Sequence, residues 1–249
     1  MKRESIKDLL VFICSFVLYY IFGTGLIYLI LKAVYNSNSS FFPSYLDNLE
    51  FKERGLSNIA QLISSFIILI ILVVMYFKDL KKGHFAFLKD YKLIFKTIGY
   101  ALFVYFVTIC YNLFLPLAGG TGEDGSNVAL IKESMKQQYW IMFVLVVILG
   151  PIVEELIFRF LPFKSLKERV SPTALLIITS VIFTIPHMFS LVNSTDFKGD
   201  LLALPKFLII GWMLGSYYYK NNDIGRVILV HILYNIISFV FMSITLSLI

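Results

Sequence analysis

The stretch Tyr139–Phe160, YWIMFVLVVILGPIVEELIFRF, decides the fold. It is apolar over about 20 residues, enough for a helix rising ~1.5 Å per residue to cross a ~30 Å hydrocarbon core. Within it stand two adjacent carboxylates, Glu154 and Glu155, followed one turn later by Arg159. Charged groups at bilayer depth are costly, so they face a protein interior or a water-filled cavity and mark a working site.

Six further apolar windows flank this one, at about residues 9–34, 57–77, 93–115, 173–192, 204–219 and 227–247, each near the ~20 residues a span needs. The chain reads as an all-α polytopic transmembrane helical bundle of about seven spans, six to eight with shifted boundaries. Residues 1–249 form a single integral membrane domain on this reading. The 204–219 window is the shortest and is expected to be tilted or partly buried. A composition of 58% hydrophobic and 15% charged residues agrees, lying outside the soluble range.

The net charge of +6 sits between the spans, so no nucleic-acid partner is expected and the bilayer itself is the first partner. An arrangement with the N-terminus in the cytoplasm puts roughly twice as many Lys and Arg inside as outside, which fixes the expected orientation. The basic Met1-Lys-Arg-Glu-Ser start precedes a long apolar run without a small-residue cleavage site, so the first span is read as retained. Cys14 and Cys110 lie in apolar runs and read as small core hydrophobes rather than a disulfide. Residues 35–56 and 116–138 read as outside loops. The glycine-rich Ala118–Gly125 segment lacks the Gly-Lys-Ser/Thr ending of a phosphate loop and reads as a flexible connection.

Two more polar pairs occupy apolar windows: Phe183 with His187, and His231 with Asn235. Residues four apart share a helix face, so each pair is local, as is Glu155 with Arg159. Each has a plain structural explanation: a self-neutralising ion pair, or His and Asn bonding between helices. His84, in a Lys-rich loop, is expected to be solvated. The combination exceeds packing needs, because one arginine neutralises one carboxylate. If Arg159 takes Glu155, Glu154 still needs a partner, and His187 and His231 are the intramembrane donors at hand. The two carboxylates point about 100° apart on a helix. One division of labour is structural for Glu155 and chemical for Glu154, as a general base in a wet cavity.

These residues resemble a known family. Glu154-Glu155-Leu-Ile-Phe-Arg159 resembles EExxxR, Phe183-Thr-Ile-Pro-His187 resembles FxxxH, and His231-Ile-Leu-Tyr-Asn235 resembles HxxxN of the CAAX protease and bacteriocin-processing (CPBP, or Abi) intramembrane endopeptidases. The resemblance covers about residues 139–247, the expected catalytic core. It implies a protease with a cavity open toward the cytosol, in which Glu154 activates a water and His187 helps to hold it or shuttle its proton. His231 and Asn235 would stabilise the oxyanion, Glu155 and Arg159 would brace the site, and Phe183 would pack beneath His187. The implied substrate is a membrane-associated protein or peptide. For bacterial members the implied roles are pheromone or bacteriocin maturation, bacteriocin self-immunity and membrane-protein processing. Prenylated CAAX substrates belong to eukaryotic and some archaeal relatives.

No cofactor is expected. If a metal is used, zinc would be held by Glu154, His187 and His231, although zinc sites usually carry two His on one helix and here they lie on different spans. The rival reading is a non-proteolytic membrane scaffold or immunity protein on the same fold, and the third a transporter, against which no paired broken helices are seen. Location in a bacterial plasma membrane follows from the Ile/Lys/Phe/Asn-rich composition and the breadth of the family. One geometric tension stands: His231 is five residues past Arg226 and His187 fifteen past Pro172. By count their depths differ by roughly 15 Å.

Overall fold

A computed structural model of the chain describes residues 3–82, 84–118, 125–188 and 197–247. These fold into helices α1 (Ile6–Ser37), α2 (Phe51–Lys81), α3 (Tyr91–Phe114), α4 (Val128–Leu166), the shorter α5 (Pro172–Met188), α6 (Phe197–Asn221) and α7 (Ile224–Ser247). All but α5 are long and apolar enough to span a membrane, and no strand occurs among the described residues. Large apolar side chains such as Leu26, Ile70, Phe106, Leu113 and Trp140 point outward, as the lipid-facing rim of a polytopic bundle requires.

Both expected outside loops are shorter than the hydropathy windows imply. The helix of α2 already starts at Leu49, because Leu56 buries against Tyr35 and Leu46 with Ile59 packed beside it, and two 3-10 turns, Ser39–Phe41 and Ser44–Asp47, make the connection. Residues 125–138 are likewise helical, not loop. That segment is amphipathic: Met135 is buried in a cluster with Phe239, while Lys136 and Glu133 pair at the surface one turn apart. Hydropathy windows discard such polar helical ends. A break at Gln138 (φ −121°, ψ 41°) separates this outer piece from the apolar span, and it is pinned there. The Gln138 amide accepts from Asn58 at 2.7 Å and donates to the Tyr45 hydroxyl at 2.9 Å. Residues 119–124 of the glycine-rich segment lie outside the described residues.

The shortest span is also not the expected one. Helix α6 runs for 25 residues, whereas α5 gives out early because Pro186 lacks the N–H that the carbonyl of Ile182 needs. The Ile185 N–H serves that carbonyl instead, tightening the chain into a 3-10 turn over residues 185–188. Residues 189–192, expected to belong to this span, lie outside the described residues. Helices α5 and α6 pack closely through Gly211 and Gly215. A Cβ at Gly211 would come within 3.0 Å of the Ser180 backbone, and one at Gly215 within 3.1 Å of Leu176.

Helix α4 sits centrally, against α1, α2, α5 and α7. Two π turns interrupt it, Phe143–Leu149 and Leu156–Phe160, and a third, Leu18–Gly23, interrupts α1 beside it. Each adds a residue to a turn and so rotates the helix C-terminal to it by about 100°. Gly150 permits the first: its N–H reaches the carbonyl of Leu145, five residues back, and a Cβ there would lie 2.7 Å from that oxygen.

Neither cysteine forms a disulfide, and Cys14 faces outward rather than into the core. His84 is not simply solvated. Its ring meets the edge of Phe160 at 6.0 Å, and its Nδ1 lies 3.4 Å from the Ile224 N–H at the start of α7.

Candidate active site

Glu155 and Arg159 are both fully buried on α4, and the Arg159 NH1 donates to Glu155 Oε1 at 2.9 Å. The same carboxylate oxygen lies 2.7 Å from His231 Nδ1 on α7. A carboxylate ionised by an arginine is acceptor-only, so Nδ1 carries the hydrogen and donates it. The imidazole is thereby held in one tautomer, with Nε2 turned to the other carboxylate, 3.8 Å from Glu154 Oε2. Arg159 reaches further: NH2 donates to the carbonyl of Gly211 at 3.3 Å, and its guanidinium lies 4.3 Å from the centre of the Phe183 ring. Gly211 is what lets α6 bring that carbonyl close.

Phe183 is the hub of the two histidines. Its ring centroid is 5.4 Å from His187 and 6.0 Å from His231. His187, in the 3-10 turn that ends α5, also stacks flat on Phe207 of α6 at 3.9 Å. The depth mismatch between the histidines is resolved at α7, whose first turn starts inside the bundle. Ile224 and Val227 are fully buried, and the Arg226 guanidinium is taken up by Thr97, Asn221 and Tyr217 rather than by water.

Glu154, His187, His231 and Asn235 line one cavity of about 940 Å³. Glu155 and Arg159 do not line it, and Phe183 does, so the two adjacent carboxylates face different surroundings. The cavity runs from Glu154 along α1, α2, α3, α4 and α7 to Glu53, Arg54 and Lys132. Those residues stand at the helix ends that the cation distribution assigns to the outside, whereas the resemblance implied an opening to the cytosol. The other end is stopped by the buried run Leu156–Leu161.

Asn235 donates from its amide to the carbonyl of Val146 at 2.8 Å. Pro151, five residues on from Val146, has no N–H to offer in the π register, so Asn235 satisfies an acceptor that the bulge leaves over. The pairing was hidden in sequence, although a proline inside an apolar span signals a carbonyl in need of a donor. Two more cavity residues were missed. Lys206, at the outer edge of the 204–219 window, is buried on α6 and lines the cavity near His187. Tyr20, in the π turn of α1, lines it next to Glu154. A tyrosine within an apolar span was the available signal.

Among the described residues no three His, Cys, Asp or Glu side chains are grouped to hold a metal ion as placed, the His187 ring lying flat against Phe207. The His231 Nδ1–H on Glu155 leaves Nε2 as the ring's ligating atom, so that bond does not bear against zinc.

No curated protein and no solved structure matches the chain. A family model does: residues 136–237 match the Rce1-like family, type II CAAX prenyl endopeptidase Rce1-like. The matched stretch contains all seven motif residues from Glu154 to Asn235. The motif resemblance to the CAAX protease and bacteriocin-processing family is thus matched by a family model of CAAX-type endopeptidases over this part of the chain, within a bundle that has several helices long and apolar enough to cross a membrane.

Proposed function

We propose that the protein hydrolyses a peptide bond of a membrane-associated protein or peptide with a water activated by Glu154. The observation that carries this is the split between the carboxylates: Glu155 is locked by Arg159 and His231, while Glu154 faces the cavity opposite His231 Nε2. Two groups 3.8 Å apart can both contact one water oxygen at ~2.8 Å, so a nucleophile fits between them. Glu154 takes a proton from that water, the oxygen bonds to the carbonyl carbon, and the π pair moves to the carbonyl oxygen. Collapse of this intermediate breaks the C–N bond, and Glu154 returns its proton to the leaving amine. His231 is held for this task by a buried carboxylate, as imidazoles are in acyl-transfer sites generally. His187, on the same cavity wall, steadies the water or relays its proton.

The reading includes a bacterial cell membrane, supported by the composition and the breadth of the family, with the N-terminus cytoplasmic, supported by the cation distribution, and a role in peptide maturation or self-immunity, supported by the family alone. The test is Glu154→Gln, which keeps shape and removes the base. Cleavage of a reconstituted fluorogenic peptide should fall by about 10³-fold or more while the melting midpoint stays put. Wild-type turnover by this variant would remove Glu154 as the base, and no turnover by the wild-type protein would leave a scaffold on the same fold.

A further inference from the structure

A tetrahedral intermediate needs a hydrogen-bond donor aimed at the developing oxyanion, preorganised so that nothing reorients during reaction. The donors named by the motifs are partly spent. His231 gives its Nδ1–H to Glu155, which makes Nε2 of the neutral ring an acceptor, and Asn235 gives an amide hydrogen to Val146.

Outside the motifs, Tyr20 has what is missing. Its hydroxyl is buried and stands beside Glu154, within reach of that carboxylate but not in the close geometry of a settled hydrogen bond with it or with any other described group. A buried hydroxyl without a partner costs about 1–3 kcal/mol and calls for an explanation. The ring is not loosely held. It packs against Phe16 at 5.3 Å, Tyr19 at 4.6 Å and Phe158 at 5.8 Å, the last being part of the second π turn of α4. The backbone is equally specific, since Tyr20 sits in the π turn that Gly23 closes, where a Cβ would overlap the carbonyl of Leu18. Its neighbour Tyr19 is the contrast: that hydroxyl is settled on Ser65 at 3.0 Å.

We infer that Tyr20 is a catalytic residue of this site, donating its O–H to the carbonyl oxygen of the scissile peptide as negative charge develops there. The inference rests on the reading of Glu154 as the base. Tyr20 donates a hydrogen bond and keeps its proton, so the proton count of the hydrolysis is unchanged. It also makes α1, outside the matched stretch of residues 136–237, part of the catalytic machinery.

The test uses full-length protein in detergent with two quenched fluorescent peptides, one ending in a farnesylated Cys-aliphatic-aliphatic-X sequence and one unprenylated. A phosphinate analogue of each supplies a tetrahedral, anionic centre. Tyr20→Phe should lower kcat by about 10²-fold with KM unchanged, and weaken the phosphinate by a similar factor. Tyr19→Phe should lower the melting midpoint and leave kcat alone. If Tyr20→Phe matches wild type in kcat and in phosphinate affinity while Glu154→Gln is inactive, Tyr20 is excluded and the base stands. If Glu154→Gln retains wild-type turnover, or wild type cleaves neither peptide, the reading beneath both fails.

Discussion

Two buried arginines anchor opposite parts of this bundle, and they are treated differently. Arg226, at the start of α7, is fully provided for. Nε donates to Thr97 at 3.2 Å, NH1 to Asn221 at 2.6 Å and NH2 to Tyr217 at 2.7 Å. Around it Thr97 passes its hydrogen to Leu93, Asn221 donates to the Tyr217 carbonyl, and Tyr100 stacks on Tyr217 at 4.2 Å. Arg159 is more deeply buried and less satisfied: among the described residues its Nε, one oxygen of its partner Glu155 and the nearby Tyr20 hydroxyl have no hydrogen bond. Buried polar groups are normally paired, so a closed network speaks for structure and an open one for a site that awaits a ligand.

Breaking each network should therefore fail in a different way. Glu155→Gln strands Arg159 as a buried unpaired cation and frees His231 to rotate. We expect a loss of about 3–5 kcal/mol in stability, read from chemical denaturation, together with lost turnover in the molecules that remain folded. A variant that keeps full turnover would show that His231 is not positioned by Glu155. Arg226→Met removes the charge and leaves Thr97, Tyr217 and Asn221 to find other partners. A cost of about 2–3 kcal/mol is expected, with kcat per folded molecule unchanged. A kcat effect there would join the two regions that the comparison separates.

The spans and the motif pairs were legible because both follow helical period and hydropathy, which depend on local sequence alone. Glu155 with Arg159 is such a pair. What was not legible depends on where the helix stops being α. The π turns at Phe143–Leu149 and Leu18–Gly23 leave no hydropathy trace, so neither the Asn235–Val146 bond nor the aim of Tyr20 could be read. The link from Glu155 to His231 spans 76 positions and two helices, and it gives Glu155 a second duty beyond Arg159. The outer helical piece up to Gln138 was lost for a different reason: its polar face depressed the window that its buried Met135 should have raised.

The smallest effect lies at the edge of the Arg226 network, where Asp223 caps α7 by accepting from the Gly225 N–H at 3.0 Å. Burial pushes this carboxyl above its usual range, against the hydrogen bonds and cations that favour its charge. A carboxyl with a raised pKa in the fold binds its proton more readily folded than unfolded. Its contribution to stability therefore grows as pH falls through that raised pKa toward the unfolded value of 3.8, and is absent at pH 7. Asp223→Asn keeps the capping oxygen and removes the charge. Because the exposed Asn222 beside it keeps solvent near this corner, screening limits the change at pH 7 to an unchanged or slightly higher stability, within ~0.5 kcal/mol, and the rise on acidification should flatten. Melting midpoints at pH 7 and pH 4.5 decide it: a loss above ~1 kcal/mol at pH 7 would mean that the charge, acting on the first turn of α7 and on Arg226, holds this corner together.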